Sequence, residues 1–481
     1  MGRRGYLAKN TFIFAIGSLG TKIIAFFLVP LYTNVLTTEE YGIIDLLFTI
    51  CTVLAPLVIL NIGESLMRFP LDKDSDRTGI ISTGISIWGI ALLITLFAIP
   101  ITHVVFPVVF LHQAQYISEY SFYLCACIFM LASSQLFLCY LRGKEELLKY
   151  SIGNIINAGL IAGFNILFLV SFKLGIKGYF LAYILANLIT SIYACIAGKV
   201  ILELKAFHID VALTKNMIRY AMVLAPNTFL WWVTNSSDRI MVTALVSEAA
   251  NGVYAVSYKI PSLLTGLVQI FNQAWSYSAI RENDSDDKEA YSNKVFRGLF
   301  ATASFVAVSI FLVIKSFLRV YTGKEFYESW KYTPYLVIGF VFLSLGSFLA
   351  TPYVVEKDGK GFLFSAALGA TINILLNLIL IPKMKVNGAA VATLLSYVGV
   401  FIYRLFDTRK YIRIKISDLK YFTCLFIMII SGVSLFFNGI AYEIIRIICV
   451  IVIPCVFGKE FRELVKGVSH IVLNRHKSLR R

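Results

Sequence analysis

Fourteen apolar runs, most of them 21 to 30 residues long, follow one another along this sequence with short polar connections between them. They lie near residues 10–36, 41–69, 78–101, 117–141, 147–172 and 176–199, then 217–246, 252–280, 295–318, 332–355, 361–381, 386–406, 421–437 and 442–457. A helix needs about 20 apolar residues to cross the hydrocarbon core of a bilayer. Inside lipid every backbone N–H and C=O must be paired, which a helix does within its own segment. The pattern therefore predicts an all-α polytopic membrane protein of about 14 transmembrane helices. Composition agrees, with 58% of 481 residues hydrophobic and 15% charged, against about 45–50% and about 25% in soluble domains. So few charges cannot clothe a soluble globule of this length, and an ordinary soluble enzyme is excluded. The last pair of runs is short; two spans fit it better than a re-entrant hairpin.

The charges orient the bundle. Net charge is +16, and the Lys and Arg residues gather in connections, with no basic domain that would bind nucleic acid. With the N-terminus inside, 32 of the 44 Lys and Arg fall on inner loops and tails, 9 on outer loops and 3 inside helices. Cytoplasmic loops carry such an excess, so both termini are expected in the cytoplasm and the helix count is expected to be even. Arg3 and Arg4 then anchor an uncleaved first helix, and the basic tail 459–481 lies on anionic lipid. The 8 cysteines are scattered; Cys125 and Cys127 point apart on a helix, and all are read as small core residues.

A repeat relates the two halves. Leu36-Thr37-Thr38-Glu39-Glu40-Tyr41-Gly42 echoes Leu245-Val246-Ser247-Glu248-Ala249-Ala250-Asn251-Gly252, Asn165-Ile166-Leu167 echoes Asn373-Ile374-Leu375, and Gly178 with Ala182 echoes Gly388 with Ala392. All three matches lie 208 to 210 residues apart. That offset spans six helices, an even number, so the halves keep one orientation and form two six-helix lobes related by a parallel pseudo-two-fold axis, with a site between them. The expected division is an N-terminal lobe at 1–214, a C-terminal lobe at 215–412, and at 413–481 a terminal helix pair with the basic tail. Duplication kept only for packing is the bland alternative.

Enzyme chemistry finds little support. There is no phosphate-binding G-x-x-x-x-G-K-[ST] loop, no H-E-x-x-H and no His/Cys cluster at zinc spacing. Asp72, Asp74 and Asp76 alternate with Lys73, Ser75 and Arg77, the pattern of a solvated loop. No catalytic residue, metal or cofactor is expected; coupling to H+ or Na+ stays open. The ionisable residues inside the spans are the functional candidates, because their burial in lipid is costly. Lys22 lies near mid-bilayer in the first helix and is expected to face a polar cavity. Glu64 and Arg68 sit at i, i+4 spacing, which suits a salt bridge, with Arg68 near the cytoplasmic entrance. Asp45 lies one turn inside the second helix, where it can face outer water. Asp238 and Arg239 are adjacent and point about 100° apart; pairing of Asp238 with Lys259 would leave Arg239 as a cation for a phosphate or pyrophosphate. Around these, Asn227, Trp231, Asn235, Tyr254, Tyr258, Asn272 and Gln273 are candidate sugar or lipid contacts, or equally packing residues. Pro30, Pro56, Pro226 and Pro261 are expected to break the first, second, seventh and eighth helices.

Several of these residues resemble a known family. Lys9-Asn10-Thr11, Gly17, Pro30-Leu31-Tyr32 and the run 36–42, with Asp238-Arg239-Ile240, Gly252-Val253-Tyr254 and Tyr258-Lys259-Ile260-Pro261, are similar to the starts of the two halves of Wzx-type polysaccharide flippases. The resemblance covers the whole chain and implies the multidrug/oligosaccharidyl-lipid/polysaccharide exporter superfamily. It implies a flippase in a bacterial inner membrane that moves an undecaprenyl-pyrophosphate-linked oligosaccharide repeat unit to the outer leaflet by alternating access, for capsule, lipopolysaccharide or exopolysaccharide assembly. A polysaccharide polymerase and its chain-length machinery are then the candidate protein partners, besides membrane lipid. The alternatives are a lipid-linked peptidoglycan-precursor flippase and a drug/cation antiporter of the same fold. The antiporter is disfavoured because Lys22 stands where such proteins resemble one another in carrying a carboxylate. A polymerase is disfavoured by the lack of a long outer loop.

Overall fold

The protein was analysed as a computed structural model, which describes residues 20–72, 75–109, 113–281, 283, 285–416 and 418–462. Among them are helices and no strands, and the fold is that of an all-α polytopic membrane protein. Arg3, Arg4, the motif 9–11, Gly17, Asp74 and most of the basic tail lie outside the described residues.

The first membrane passage is α1 (Gly20–Val35). The second is α2 (Thr38–Val58), continued after a break by the short α3 (Ile62–Arg68). Then follow α4 (Arg77–Val109), the short α5 (Gln113–Glu119), α6 (Ser121–Gly143), α7 (Leu147–Asn165), α8 (Gly175–Ala197) and the single turn α9 (Val200–Glu203). The seventh passage is α10 (Val211–Leu245), and the eighth is α11 (Glu248–Ser257) with α12 (Lys259–Arg281). The rest are α13 (Lys288–Tyr321), α14 (Thr333–Val355), α15 (Gly359–Met384), α16 (Val386–Asp407), α17 (Leu419–Ser434) and α18 (Ile440–Val456). Nine of the described helices are long and apolar enough to cross a membrane. The other passages are either shorter, as α1, α17 and α18 are, or carry more polar residues, as α10 and α12 do.

Prolines do not set the breaks in the way the sequence suggests. Helix α10 runs through Pro226, and α1 runs through Pro30. The second passage is interrupted at Leu60 and Asn61, both left-handed at φ 50° and 53°. Pro56 acts there indirectly: its carbonyl accepts Asn61 N at 2.6 Å and closes the end of α2. The eighth passage breaks at Tyr258, and Pro261 falls in the first turn of α12, where no N–H is needed.

The chain forms two compact units, residues 1–256 with 322–326, and residues 257–321 with 327–481. The first is built on a core of Ile59, Ile62, Leu66, Ile81, Phe129, Leu136 and Tyr140. Polar contacts between helices fix its register: Ser65 Oγ donates to Met217 O at 2.7 Å, and Trp88 Nε1 donates to Ser133 Oγ at 2.7 Å. The second packs aromatic rings, with Trp275 stacked on Phe348 at 4.6 Å and Phe300 edge-on to Tyr421 at 5.0 Å. There Arg404, 9% exposed, donates to Gly346 O and Ser365 Oγ at 2.9 and 3.0 Å.

Candidate functional site

The two repeated turns read from the sequence meet in the first unit. Thr37 caps α2 through a capping box, its hydroxyl accepting Glu40 N at 3.2 Å while Glu40 Oε2 accepts Thr37 N at 3.0 Å. Ser247, 210 residues on, does the same job for α11, accepting Ala250 N at 3.1 Å. The capped turns then pack through their glycines. A Cβ on Gly42 would lie 1.8 Å from Glu248 O, and a Cβ on Gly252 would lie 2.0 Å from Thr38 O. Thr38 and Glu248 are themselves repeat partners at the same offset, so the contact is self-complementary, as an isologous two-fold contact is. Asn251 Nδ2 donates across it to Gly42 O at 3.0 Å. At the end of α1, Thr33 Oγ1 accepts Gly323 N at 3.1 Å.

One turn deeper, this clasp carries charge. Arg239 Nη1 donates to Asp45 Oδ1 at 2.9 Å, with side-chain exposures of 20% and 9%. Tyr254, fully buried, donates its hydroxyl to Asp238 Oδ2 at 2.7 Å. Tyr41 lies beside this pair and packs edge-on against Phe326 at 5.6 Å. Both carboxylates of the clasp are thus partnered within the first unit, and α2 is tied to α10 by an ion pair and to α11 by backbone contact.

Several expectations change as a result. Asp45 does not face water: it is buried because α10 lies over it. Arg239 is not left as an uncommitted cation, since Asp45 takes one of its nitrogens. Arg68 does not pair with Glu64. Helix α3 ends at Arg68 in a 3-10 turn over Phe69–Leu71, which brings Asp72 within 2.6 Å of Nη1. Both ends of that pair are at least half exposed, so it adds little stability. Glu64 is half-buried on α3.

Lys22 is half-buried on α1, Lys259 opens α12 in the second unit, and Tyr258 places its hydroxyl 3.3 Å from Thr393 Oγ1. Asn272 is half-buried, with Oδ1 making no hydrogen bond among the described residues. The side chains of Asn227, Trp231, Asn235 and Gln273 lie outside the described residues. Sequence reasoning missed the clasp as a contact, although the repeat that carries it was visible. It also missed Asn61 and Asn187, which are buried and polar in the first unit. Outside the spans, Asp76 caps α4 by accepting Gly79 N at 2.9 Å and meets His208 Nε2 at 2.6 Å. The Gly79 bond first, then the histidine, holds the Asp76 carboxyl below its usual range, while Ala206 O and Asp76 hold His208 above its own.

Comparison with known proteins bears on this geometry. The curated probable lipid II flippase MurJ of Thermotoga maritima is 22% identical over 241 residues, covering 48% of this chain and 51% of that one. The chain thus matches about half the length of that relative. A structure of lipid II flippase MurJ in an inward closed conformation covers 95% of this chain and 99% of its own, with 16% identity and a TM-score of 0.67. An inward-facing multidrug resistance MATE family transporter of the MOP superfamily covers 82% and 94%, with 14% identity and a TM-score of 0.68. A MOP superfamily transporter from Pyrococcus furiosus covers 84% and 96%, with 13% identity and a TM-score of 0.60. At these identities the structural likenesses are ones of fold. The sequence profile described as "Polysaccharide biosynthesis protein" matches residues 7–277, which include both clasp turns and the Asp45–Arg239 pair. With more than half of its length matched by that profile, the chain belongs to the polysaccharide biosynthesis protein family.

Proposed function

We propose that this chain is a flippase for a lipid-linked oligosaccharide, carrying an undecaprenyl-pyrophosphate-linked repeat unit from the cytoplasmic to the outer leaflet for surface polysaccharide assembly. The carrying observation is that a member of a polysaccharide biosynthesis family is built, over its described residues, from membrane passages and short connections. A polysaccharide intermediate reaches such a bundle as its lipid-linked form. Pyrophosphate and sugar hydroxyls cannot cross hydrocarbon without replacement of their hydration, and the bundle would supply that replacement. Lys22 and Arg239 are the cations proposed to meet the pyrophosphate, with Arg68 near the cytoplasmic entrance. Lys259, Glu64 and Asp238 are proposed to tune the same path.

The clasp supports an alternating-access mechanism. Helix α2 is held to α11 by glycine backbone contact and the Asn251–Gly42 hydrogen bond, and to α10 by one ion pair, polar and backbone contacts of a kind that can part and re-form. In the proposed cycle the clasp is the outer barrier; parting it breaks the Asp45–Arg239 bond and turns Arg239 towards the substrate. Coupling to H+ or Na+ would act on the carboxylates.

Likeness to the lipid II flippases supports a second reading, a peptidoglycan precursor as the cargo. Complementation separates the two. The gene is expressed in cells lacking their own surface-polysaccharide flippase, and in cells depleted of their peptidoglycan-precursor flippase. Restored surface glycan in the first and no rescue of growth in the second is the expected result. The reverse pattern assigns the cargo to peptidoglycan, and rescue of neither, with protein present in the membrane, contradicts the flippase reading.

A further inference from the structure

The first unit contains a polar cavity that the clasp does not use. Its volume is about 290 Å³, and α2, α6, α7 and α8 wall it. Its polar groups come chiefly from Thr52, Ser134, Gln135, Tyr150, Asn154, Asn157 and Asn187, and no Lys, Arg, Asp or Glu lines it. Part of this set is structural. Asn187 Oδ1 accepts from Ser134 Oγ at 2.6 Å and from Asn157 Nδ2 at 3.2 Å, tying α6, α7 and α8 together.

Gln135 and Asn154 are different. Asn154 bonds within its own helix, donating to Tyr150 O at 3.0 Å and meeting the Tyr150 side chain, and the Gln135 carboxamide is exposed and makes no hydrogen bond among the described residues. A carboxamide in a membrane helix needs water or a polar partner, because leaving it dry is costly. Thr52 also lines a second cavity of about 240 Å³ between α2 and α10. Asn61 and Trp232 line that one, and their Nδ2 and Nε1 donors are buried without an acceptor among the described residues. Phe229 and Trp232 stack at 6.2 Å along its wall.

We propose that these two cavities, adjoining at Thr52, are a carbohydrate subsite that takes the neutral sugars of the lipid-linked cargo. The proposal rests on the flippase reading. Carboxamides and hydroxyls both donate and accept, as sugar hydroxyls do, and the aromatic faces offer apolar surface to the C–H faces of a sugar ring. With no cation the walls do not suit phosphate, which Arg and Lys bind best. With no carboxylate they do not suit a cationic drug. The pyrophosphate is therefore held elsewhere, and the subsite reads the glycan.

The test uses the full-length protein in detergent and two probes: lipid-linked oligosaccharides extracted from the cells that encode it, and undecaprenyl pyrophosphate without sugar. Gln135→Leu and Asn154→Leu, each with its Tm measured, are compared with the wild type. Each variant should bind the sugar-bearing probe about fivefold more weakly, one hydrogen bond's worth, and the sugar-free probe unchanged. If Gln135→Leu fails to fold, Gln135→Asn, one methylene shorter, carries the same expectation. Unchanged binding of the sugar-bearing probe overturns the subsite and leaves the flippase reading standing, as does an equal loss for both probes. A wild type that binds neither probe overturns the flippase reading and the subsite with it.

Discussion

Arg239 carries its charge in a membrane helix with Asp45, 194 residues away in sequence, as its hydrogen-bonded partner. Removing one member of a buried pair strands the other and costs about 3–5 kcal/mol. Removing both charges together costs far less. Arg239→Gln and Asp45→Asn should therefore each lower the Tm in detergent, and the double variant should recover most of that loss, a coupling that a double-mutant cycle reads directly. Surface polysaccharide should stay absent in the double variant, because the cation is gone although the fold is restored. Recovery of both stability and polysaccharide would make the pair purely structural. The sequence placed these residues in the second and seventh passages but could not match them. Depth follows from position along a helix, whereas the choice of partner depends on which helices lie side by side. The same limit explains Arg68, whose partner turned on where α3 ends and not on the i, i+4 spacing to Glu64.

At the scale of helices, the passages were legible because a run of about 20 apolar residues has one outcome in lipid. Their breaks were not. Pro30 and Pro226 sit inside continuous helices, while Leu60 and Asn61, which carry no breaker signature beyond the asparagine, take left-handed conformations. The clasp between α2 and α11 was half legible: the repeat announced two equivalent turns, and the glycines are where their backbones touch. Gly42→Ala puts a methyl into Glu248 O, so the turns must separate. Ala255, fully buried on α11, offers a reporter. An Ala255→Cys protein should react slowly with a membrane-impermeant thiol reagent added outside, and several times faster once Gly42→Ala is added. Equal rates would mean that the clasp is not an outer barrier.

Across the whole molecule, the succession of apolar runs and the scarcity of charge were enough to predict an all-α membrane bundle, and the fold is similar to those of solved transporters of the MOP superfamily over most of its length. The compact units divide within the eighth passage, at Val256 and Ser257, a boundary no composition shift marks, because contacts made by the clasp hold α10 and α11 with the first unit. The central claim is that this bundle carries a lipid-linked oligosaccharide between leaflets. The most direct measurement reconstitutes the purified protein into liposomes containing lipid-linked oligosaccharide from its own cells, with H+ or Na+ gradients of either direction, and follows digestion of the sugar by an impermeant glycosidase. The account predicts that digestion, confined to the outer-leaflet share in protein-free vesicles, proceeds to nearly the whole population when the wild-type protein is present. Digestion that stops at the outer-leaflet share under every gradient, with folded protein in the vesicles, would contradict it.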